Sequence, residues 1–190
     1  NYEVPDLVGE MVHHLVPFRR RGELSVVDLG CGTGLCGRHL SECAGHLVGV
    51  DLSPNMLDKA RERELYDDLI EGELTDYLNG CSDEHDLVVS ADTLIYMGDL
   101  QTTFAAAAGA LRRGGWFVFS LEKLEMTAAD ENDVQKGYQL SSSGRYRHLE
   151  NSVRRWLADS EFSINEFVEV KVREEGLIST TGFLISAIRQ

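Results

Sequence analysis

Ser25-Val-Val-Asp-Leu-Gly-Cys-Gly-Thr-Gly-Leu-Cys-Gly37 decides the fold. The apolar run Val26 to Leu29 reads as a strand that passes straight into Gly30, Gly32 and Gly34, with helix-compatible sequence behind it. A strand, a glycine turn and a helix start bring bare backbone against a ligand at the C-terminal edge of a sheet. Glycine serves twice there, reaching φ > 0 without steric cost and leaving no Cβ between backbone and ligand. The spacing does not suit a dinucleotide fingerprint, G-x-G-x-x-G/A. Counted from Gly30 and Gly32, the third small residue falls on Leu35; counted from Gly32 and Gly34 it falls on Gly37, leaving Gly30 and Asp28 without a role. A phosphate-cradling Gly-Lys-Ser/Thr is absent, since the segment holds no lysine. The alternative is a glycine turn that only packs strand on helix.

A second short apolar strand, Leu47-Val-Gly-Val-Asp51, ends in a carboxylate 21 positions after Gly30. A nucleoside lying across two adjacent strands places its ribose hydroxyls at the end of the second, and a carboxylate about 20 residues on accepts both. Asp51 is therefore the expected ribose ligand. In Leu52-Ser-Pro-Asn-Met-Leu-Asp-Lys-Ala60, Ser53 suits a helix N-cap and Pro54 the first helical position. Met56, Leu57 and Ala60 share a face, so Met56 either packs on a base or belongs to the core. Leu69-Ile-Glu-Gly-Glu-Leu74 reads as a third strand and its exit.

Asp28-Leu-Gly-Cys-Gly-Thr-Gly34 and the Asp51-x-Ser-Pro-x-Met-Leu-x-x-Ala60 run together resemble the class I S-adenosylmethionine-dependent methyltransferases. The resemblance covers nearly the whole chain and is most specific in its first half. It implies S-adenosylmethionine as cofactor, held by Asp28, Gly30, Cys31, Gly32, Thr33, Gly34, Asp51, Leu52, Met56, Gly72, Glu73, Leu74, Ser90 and Ala91. Asp28 would order groups around the cofactor's ammonium. The family usually carries aspartate at the adenine-facing position where this chain has Glu73, so that contact is expected to shift, or Glu73 is a solvated charge. Cys31 reads as a small residue fitted to the loop, not a nucleophile.

At 190 residues the chain suits one domain with a real core, and its 43% hydrophobic and 26% charged content is that of a globular protein. No run approaches the roughly 20 apolar residues of a membrane span, and no signal-peptide pattern opens the chain, so we expect a cytoplasmic protein with no membrane partner. The four cysteines show neither C-x-x-C spacing nor zinc-like pairing with histidines, so no metal is expected. A formal charge of −14 argues against nucleic acid, whose phosphates need a basic footprint. The basic clusters, Arg19 to Arg21 and Arg145 to Arg147 with Arg154-Arg155, are small against that much acid.

Strand and helix alternate along the chain: strands near 25–29, 47–51, 68–72, 86–91 and 115–121, and helices near 6–16, 35–44, 54–65, 99–113 and 150–160. That alternation implies an α/β fold, doubly wound, with helices on both faces of a mainly parallel sheet. Residues 162–172 and 181–188 form two strands too close for a helical crossover, so they pair antiparallel. In the family such a Rossmann-like sheet has seven strands in the order 3-2-1-4-5-7-6 with strand 7 antiparallel.

The strand ending Ser90-Ala-Asp92 empties into Thr93-Leu-Ile-Tyr-Met97 at the sheet edge where ligands bind in such folds. Asp92 is a candidate for the site or a helix cap, and Tyr96 is an acceptor-pocket residue or core. Residues 122–149 make a long polar connection and are expected to insert as a lid over the acceptor. Candidates there are His148 and Tyr146 for catalysis, with Tyr138 and Arg145 for substrate; His148 is alternatively a surface histidine. Asp92–Tyr96 and Gly137–His148 are similar to a bacterial methyltransferase subgroup often fused behind tetratricopeptide repeats, and more distantly to biotin- and quinone-pathway methyltransferases. The absent initiator Met implies missing or disordered upstream residues, and the resemblance to that subgroup is compatible with a repeat domain among them.

The reading is methyl transfer to a small-molecule acceptor, or less readily a protein. Two other classes stay open: a cofactor-binding module without catalysis, and a nucleotide-linked oxidoreductase.

Overall fold

The computed structural model describes residues 3–16, 22–128, 130–175 and 178–190; the Arg19 to Arg21 cluster lies outside them. Strands β1 (Leu24–Leu29), β2 (Ala44–Asp51), β3 (Asp68–Glu71), β4 (His85–Ser90) and β5 (Leu111–Lys123) are parallel neighbours in the order β3-β2-β1-β4-β5. The two C-terminal strands, written β8 (Phe162–Glu175) and β9 (Ile178–Arg189) because two short ones precede them, pair antiparallel with each other, and β9 pairs antiparallel with β5. The seven principal strands thus take the expected order, with the last in sequence as the antiparallel member.

Two short strands, β6 (Tyr138–Leu140) and β7 (Tyr146–His148), bring the sheet among the described residues from seven to nine strands and come from the expected lid. Their cause is a vacant backbone edge. Strand β4 stops opposite Phe119, but β5 runs on, and its Glu122 and Lys123 take β7 as a parallel partner. An edge left open at that point would hold unpaired N–H and C=O groups. The polar stretch after β5 also carries regular structure, a 3₁₀ turn at Met126–Ala128 and helix α6 (Glu131–Lys136) with an Asp130/Asp133 capping box.

Period-two alternation in the central strands feeds two cores. Val27, Leu29, Val50, Val88, Phe117 and Phe119 meet α4 (Leu74–Asn79), α5 (Gln101–Ala110) and α7 (Glu150–Asp159) on one face. Val26, Leu47, Leu87, Val89 and Val118 meet α1 (Val4–Leu15) and α2 (Gly37–Leu40) on the other. Asp28 keeps the parity of Val26, so the strand aims a carboxylate toward the second core. Several helices are shorter than their patterns suggest. The 35–44 pattern yields only α2 because β2 begins at Ala44, α3 spans Pro54–Arg61, and α5 gives way to β5 at Leu111. Helix α4 has no counterpart among the helices expected from the sequence. Ser53 stands at the N-cap of α3, but its hydroxyl makes no capping bond.

Candidate active site

A cavity of about 640 Å³ opens at the C-terminal ends of β1, β2 and β4. Its floor is the glycine loop after β1. Gly30, Gly32 and Gly34 all have positive φ, at 69°, 54° and 77°. The loop is pinned from both neighbouring strands. Gly30 N–H and Cys31 N–H donate to the Val50 carbonyl at 2.7 and 3.0 Å, and the Thr93 hydroxyl donates to the Gly30 carbonyl at 3.2 Å. A Cβ on Gly30 would collide with the Thr93 side chain, whereas a Cβ on Gly32 would meet nothing closer than 4.0 Å. Gly30 is thus glycine for the protein's packing, and Gly32 leaves open space on the ligand side.

Asp51 closes the second wall. Its Oδ2 accepts the Gly32 N–H at 2.8 Å and its Oδ1 the Ser53 N–H at 2.9 Å. Each oxygen keeps a further lone pair for a ligand hydroxyl. Leu52 and Met56 are exposed beside it, so Met56 is a cavity residue and not core. Gly72 also lines the cavity, and a Cβ there would meet no protein atom within 4 Å. Glu73 lines it while capping α4, accepting the Asp76 N–H at 2.8 Å.

Asp28 lies at the base, 1% exposed. Burial pushes its carboxyl up from 3.8 to about 6; a hydrogen bond from the Tyr66 hydroxyl at 2.7 Å opposes the rise, and the charge of Asp51 adds to it. Burial also pushes the Cys31 thiol up, which keeps it protonated and suits a packing role.

The far wall is Ala91, Asp92, Thr93, Tyr96 and Met97. Asp92 has φ 52°, a conformation non-glycine residues adopt at a cost. Ser120 on β5 holds it there, accepting its N–H at 2.9 Å and donating to its Oδ1 at 3.3 Å, while Arg173 on β8 pairs with Oδ2 at 3.3 Å. It is not a helix cap, because Thr93 holds that position for the 3₁₀ turn Leu94–Tyr96. Tyr96 is 60% exposed and so is not core.

Of the expected site residues, the cavity gathers Asp28, Gly30, Cys31, Gly32, Thr33, Asp51, Leu52, Met56, Gly72, Glu73, Leu74, Ala91, Asp92 and Tyr96. Gly34, Ser90, Tyr138, Arg145, Tyr146 and His148 are not among its lining. Ser90 is fully buried and donates to the Leu29 carbonyl at 3.2 Å. A Cβ on Gly34 would press on Tyr66 and Arg63, so this glycine packs loop against protein. His148 is not a surface histidine: it is fully buried, with Nε2 at 3.0 Å from the carbonyls of both Met97 and Gly98. Burial lowers its pKa to about 4, so it is neutral and donates Nε2–H to that pair. It lies under the 92–98 loop and not among the cavity lining. Tyr138 supports the same loop, since a Cβ on Gly98 would lie 2.5 Å from its ring. Arg145 and Arg147 both approach the buried Glu122, at 4.0 and 3.7 Å. No described residue of 122–149 lines the cavity, and His148 and Tyr138 pack behind the 92–98 loop.

Sequence reasoning missed Pro5, Leu35, Cys36, Val50, Ser53, Thr93 and Met97 in the lining. Most flank residues it did name. Away from the cavity, Cys81, Glu84 and His85 bring donor atoms within 4.8 Å of one another, a cluster the cysteine spacing did not suggest. Both His85 ring nitrogens are already engaged, Nδ1 with Ser25 at 3.1 Å and Nε2 with Tyr77 at 3.2 Å.

The described lining holds four carboxylates, Asp28, Asp51, Glu73 and Asp92, and neither lysine nor arginine. This described lining offers a pyrophosphate no side-chain cation, and its carboxylates suit a nucleoside ligand bearing cations. S-adenosylmethionine is such a ligand: it has a sulfonium, an ammonium and no phosphate.

Comparison with known proteins agrees. A methyltransferase-domain family model matches residues 26–115. The S-adenosylmethionine-dependent methyltransferase of Mesorhizobium loti superposes with a TM-score of 0.74 at 25% identity, covering 97% of this chain and 100% of that one. Magnesium protoporphyrin IX methyltransferase of Synechocystis, solved with S-adenosylmethionine bound, has the same fold at a TM-score of 0.70 and 19% identity, covering 98% and 79%. Among curated proteins, the 18S rRNA (guanine-N(7))-methyltransferase of Bos taurus is 51% identical over 49 residues, 26% of this chain and 17% of that protein. The ubiquinone biosynthesis O-methyltransferase of Hydrogenovibrio crunogenus is 31% identical over 102 residues, 50% of this chain and 42% of its own length. The matches to these two relatives span less than half of each. This match, over just under half of the chain, and this fold resemble those of an S-adenosylmethionine-dependent methyltransferase domain.

Proposed function

We propose that the protein transfers the methyl group of S-adenosylmethionine to a small-molecule acceptor that enters beside Asp92, Tyr96 and Met97. The carrying observation is a described cavity lining with four carboxylates and neither lysine nor arginine, which favours a cationic nucleoside donor and disfavours the nucleotide-linked oxidoreductase. In this reading Asp51 accepts the ribose hydroxyls, Asp28 faces the ammonium, Met56 and Leu52 cover the base, and Glu73 stands near its amino group. The bound cofactor supplies an electrophilic methyl. The protein's own work is alignment and exclusion of water, and alignment alone can supply roughly 7–11 kcal/mol.

The Asp92 loop is the acceptor wall. Ser120 and Arg173 fix its carboxylate in front, and His148 and Tyr138 fix its backbone behind. In this reading 122–149 governs acceptor choice by holding that wall in place. The resemblance to the repeat-fused bacterial subgroup rests on Asp92–Tyr96 and Gly137–His148 alone and is part of the same proposal. A non-catalytic binding module would have its acceptor side filled by side chains, whereas here the cavity continues to Tyr96 and Met97. A small-molecule acceptor accords with the −14 charge; the rRNA-modifying relative makes RNA the competing class. The test is a screen with radiolabelled methyl donor against pooled metabolites, a protein extract and total RNA. Label in the metabolite pool supports the proposal, and label confined to RNA or protein refutes the acceptor class.

A further inference from the structure

Tyr66 belongs to no motif, yet it touches the cofactor cradle in several places. It sits just before β3, 38 positions from Asp28 in sequence, and its hydroxyl gives Asp28 Oδ2 a hydrogen bond of 2.7 Å. Its ring lies against three glycines. A Cβ on Gly34, Gly37 or Gly49 would come within 3.0, 2.8 or 2.9 Å of it. Two of those glycines belong to the loop and the start of α2, and the third lies in β2. The ring therefore occupies the space that three side chains would otherwise need.

We infer that Tyr66 is a positioning residue for the cofactor: its phenol aims the Asp28 carboxylate into the cavity, and its ring seats the glycine loop. The inference rests on the proposal that Asp28 faces the ammonium. Chemically the pairing is one-directional. Burial and the charge of Asp28 push the Tyr66 phenol far up, so it remains a donor at any working pH. The other groups facing Asp28 are Asp51 on β2 and the thiols of Cys31 and Cys36 in the loop. Arg63, a cation close to this segment, directs its Nε–H to the Thr33 carbonyl at 2.5 Å. Tyr66 is thus the neutral donor that favours the ionised form of Asp28, against burial and a neighbouring carboxylate.

The sign of the pH effect follows. Asp28 binds a cation only when ionised, and its carboxyl titrates near 6. Removing the Tyr66 hydroxyl raises that value, so affinity for an ammonium-bearing ligand should fall off at a higher pH. Tyr66→Phe keeps the ring against the glycines and removes only the donor. Calorimetry from pH 5.5 to 8.5 should compare S-adenosylhomocysteine, which has the ammonium, with 5′-methylthioadenosine, which lacks it. We expect a loss of about tenfold for the first near neutrality, the scale of one charge-assisted hydrogen bond. Its pH midpoint should rise, and the second ligand should bind unchanged. Equal affinities for the variant and the parent, or equal losses for both ligands with an unmoved midpoint, overturn the inference. If the parent protein binds neither ligand, the cofactor reading itself fails. Should Tyr66→Phe not fold, the parent offers a second readout: in protein labelled at the tyrosine Cζ carbons, one signal should titrate near pH 6 and stop titrating in Asp28→Asn. Absence of such a signal overturns the inference equally.

Discussion

Replacing Asp28 by Asn should make the protein more stable at neutral pH and a poorer cofactor binder. Asp28 is a buried carboxyl whose pKa rises from 3.8 to about 6 on folding. A raised folded-state pKa gives stability that is present below the unfolded value and lost as pH climbs through the folded one. Each unit corresponds to 1.36 kcal/mol, so ionised Asp28 costs the folded state about 3 kcal/mol at the alkaline limit. About half of that change falls between pH 5 and 8. Asn keeps an oxygen for the Tyr66 hydroxyl but brings an amide N–H₂ into a buried place, returning about 1 kcal/mol. The net gain near pH 7.5 is then about 2 kcal/mol, or roughly 4–8 °C in Tm for a chain of this size. The assay is urea unfolding of ligand-free parent and variant from pH 5 to 8. The variant's advantage should widen from pH 5 to about 7, as Asp28 ionises, and then level off. A constant difference across that range would refute the buried-charge reasoning, because other titrating groups cancel between the two proteins. On the proposal that Asp28 faces the ammonium, S-adenosylhomocysteine affinity should fall in the same variant.

Asp51→Ala removes a carboxylate that also ties Gly32 to Ser53. Losing its charge-assisted bonds should cost about 1.5–3 kcal/mol, or roughly one to two decades in S-adenosylhomocysteine affinity by calorimetry; unchanged affinity in a folded variant places the ribose elsewhere. Replacing 127–136 with a short glycine linker should leave cofactor affinity intact and abolish methyl transfer to the acceptor found by the screen; full turnover would separate this segment from acceptor binding.

The parts of the site that could be read in advance are those in which one short stretch does the whole job. Gly30 and Gly32 announce a turn with positive φ, and Asp51 announces itself by ending an apolar strand at the right distance. The missed parts depend on partners far away in sequence. Tyr66 reaches Asp28 across 38 positions and Arg173 reaches Asp92 across 81. Glycines 34 and 37 read as ligand-facing or unassigned until Tyr66 is seen behind them. His148 carries the residue type of a base, but its burial against two carbonyls, which no local pattern reveals, decides its role. The β6–β7 hairpin likewise forms because β5 outruns β4, a consequence of tertiary pairing and not of propensity.

The four-carboxylate cavity should bind a cationic nucleoside and refuse a pyrophosphate. Calorimetric titration of the protein with S-adenosylmethionine and, separately, with NAD tests it most directly. Saturable single-site binding of S-adenosylmethionine, with no heat from NAD, is the expected result. Binding of NAD with equal affinity would contradict it.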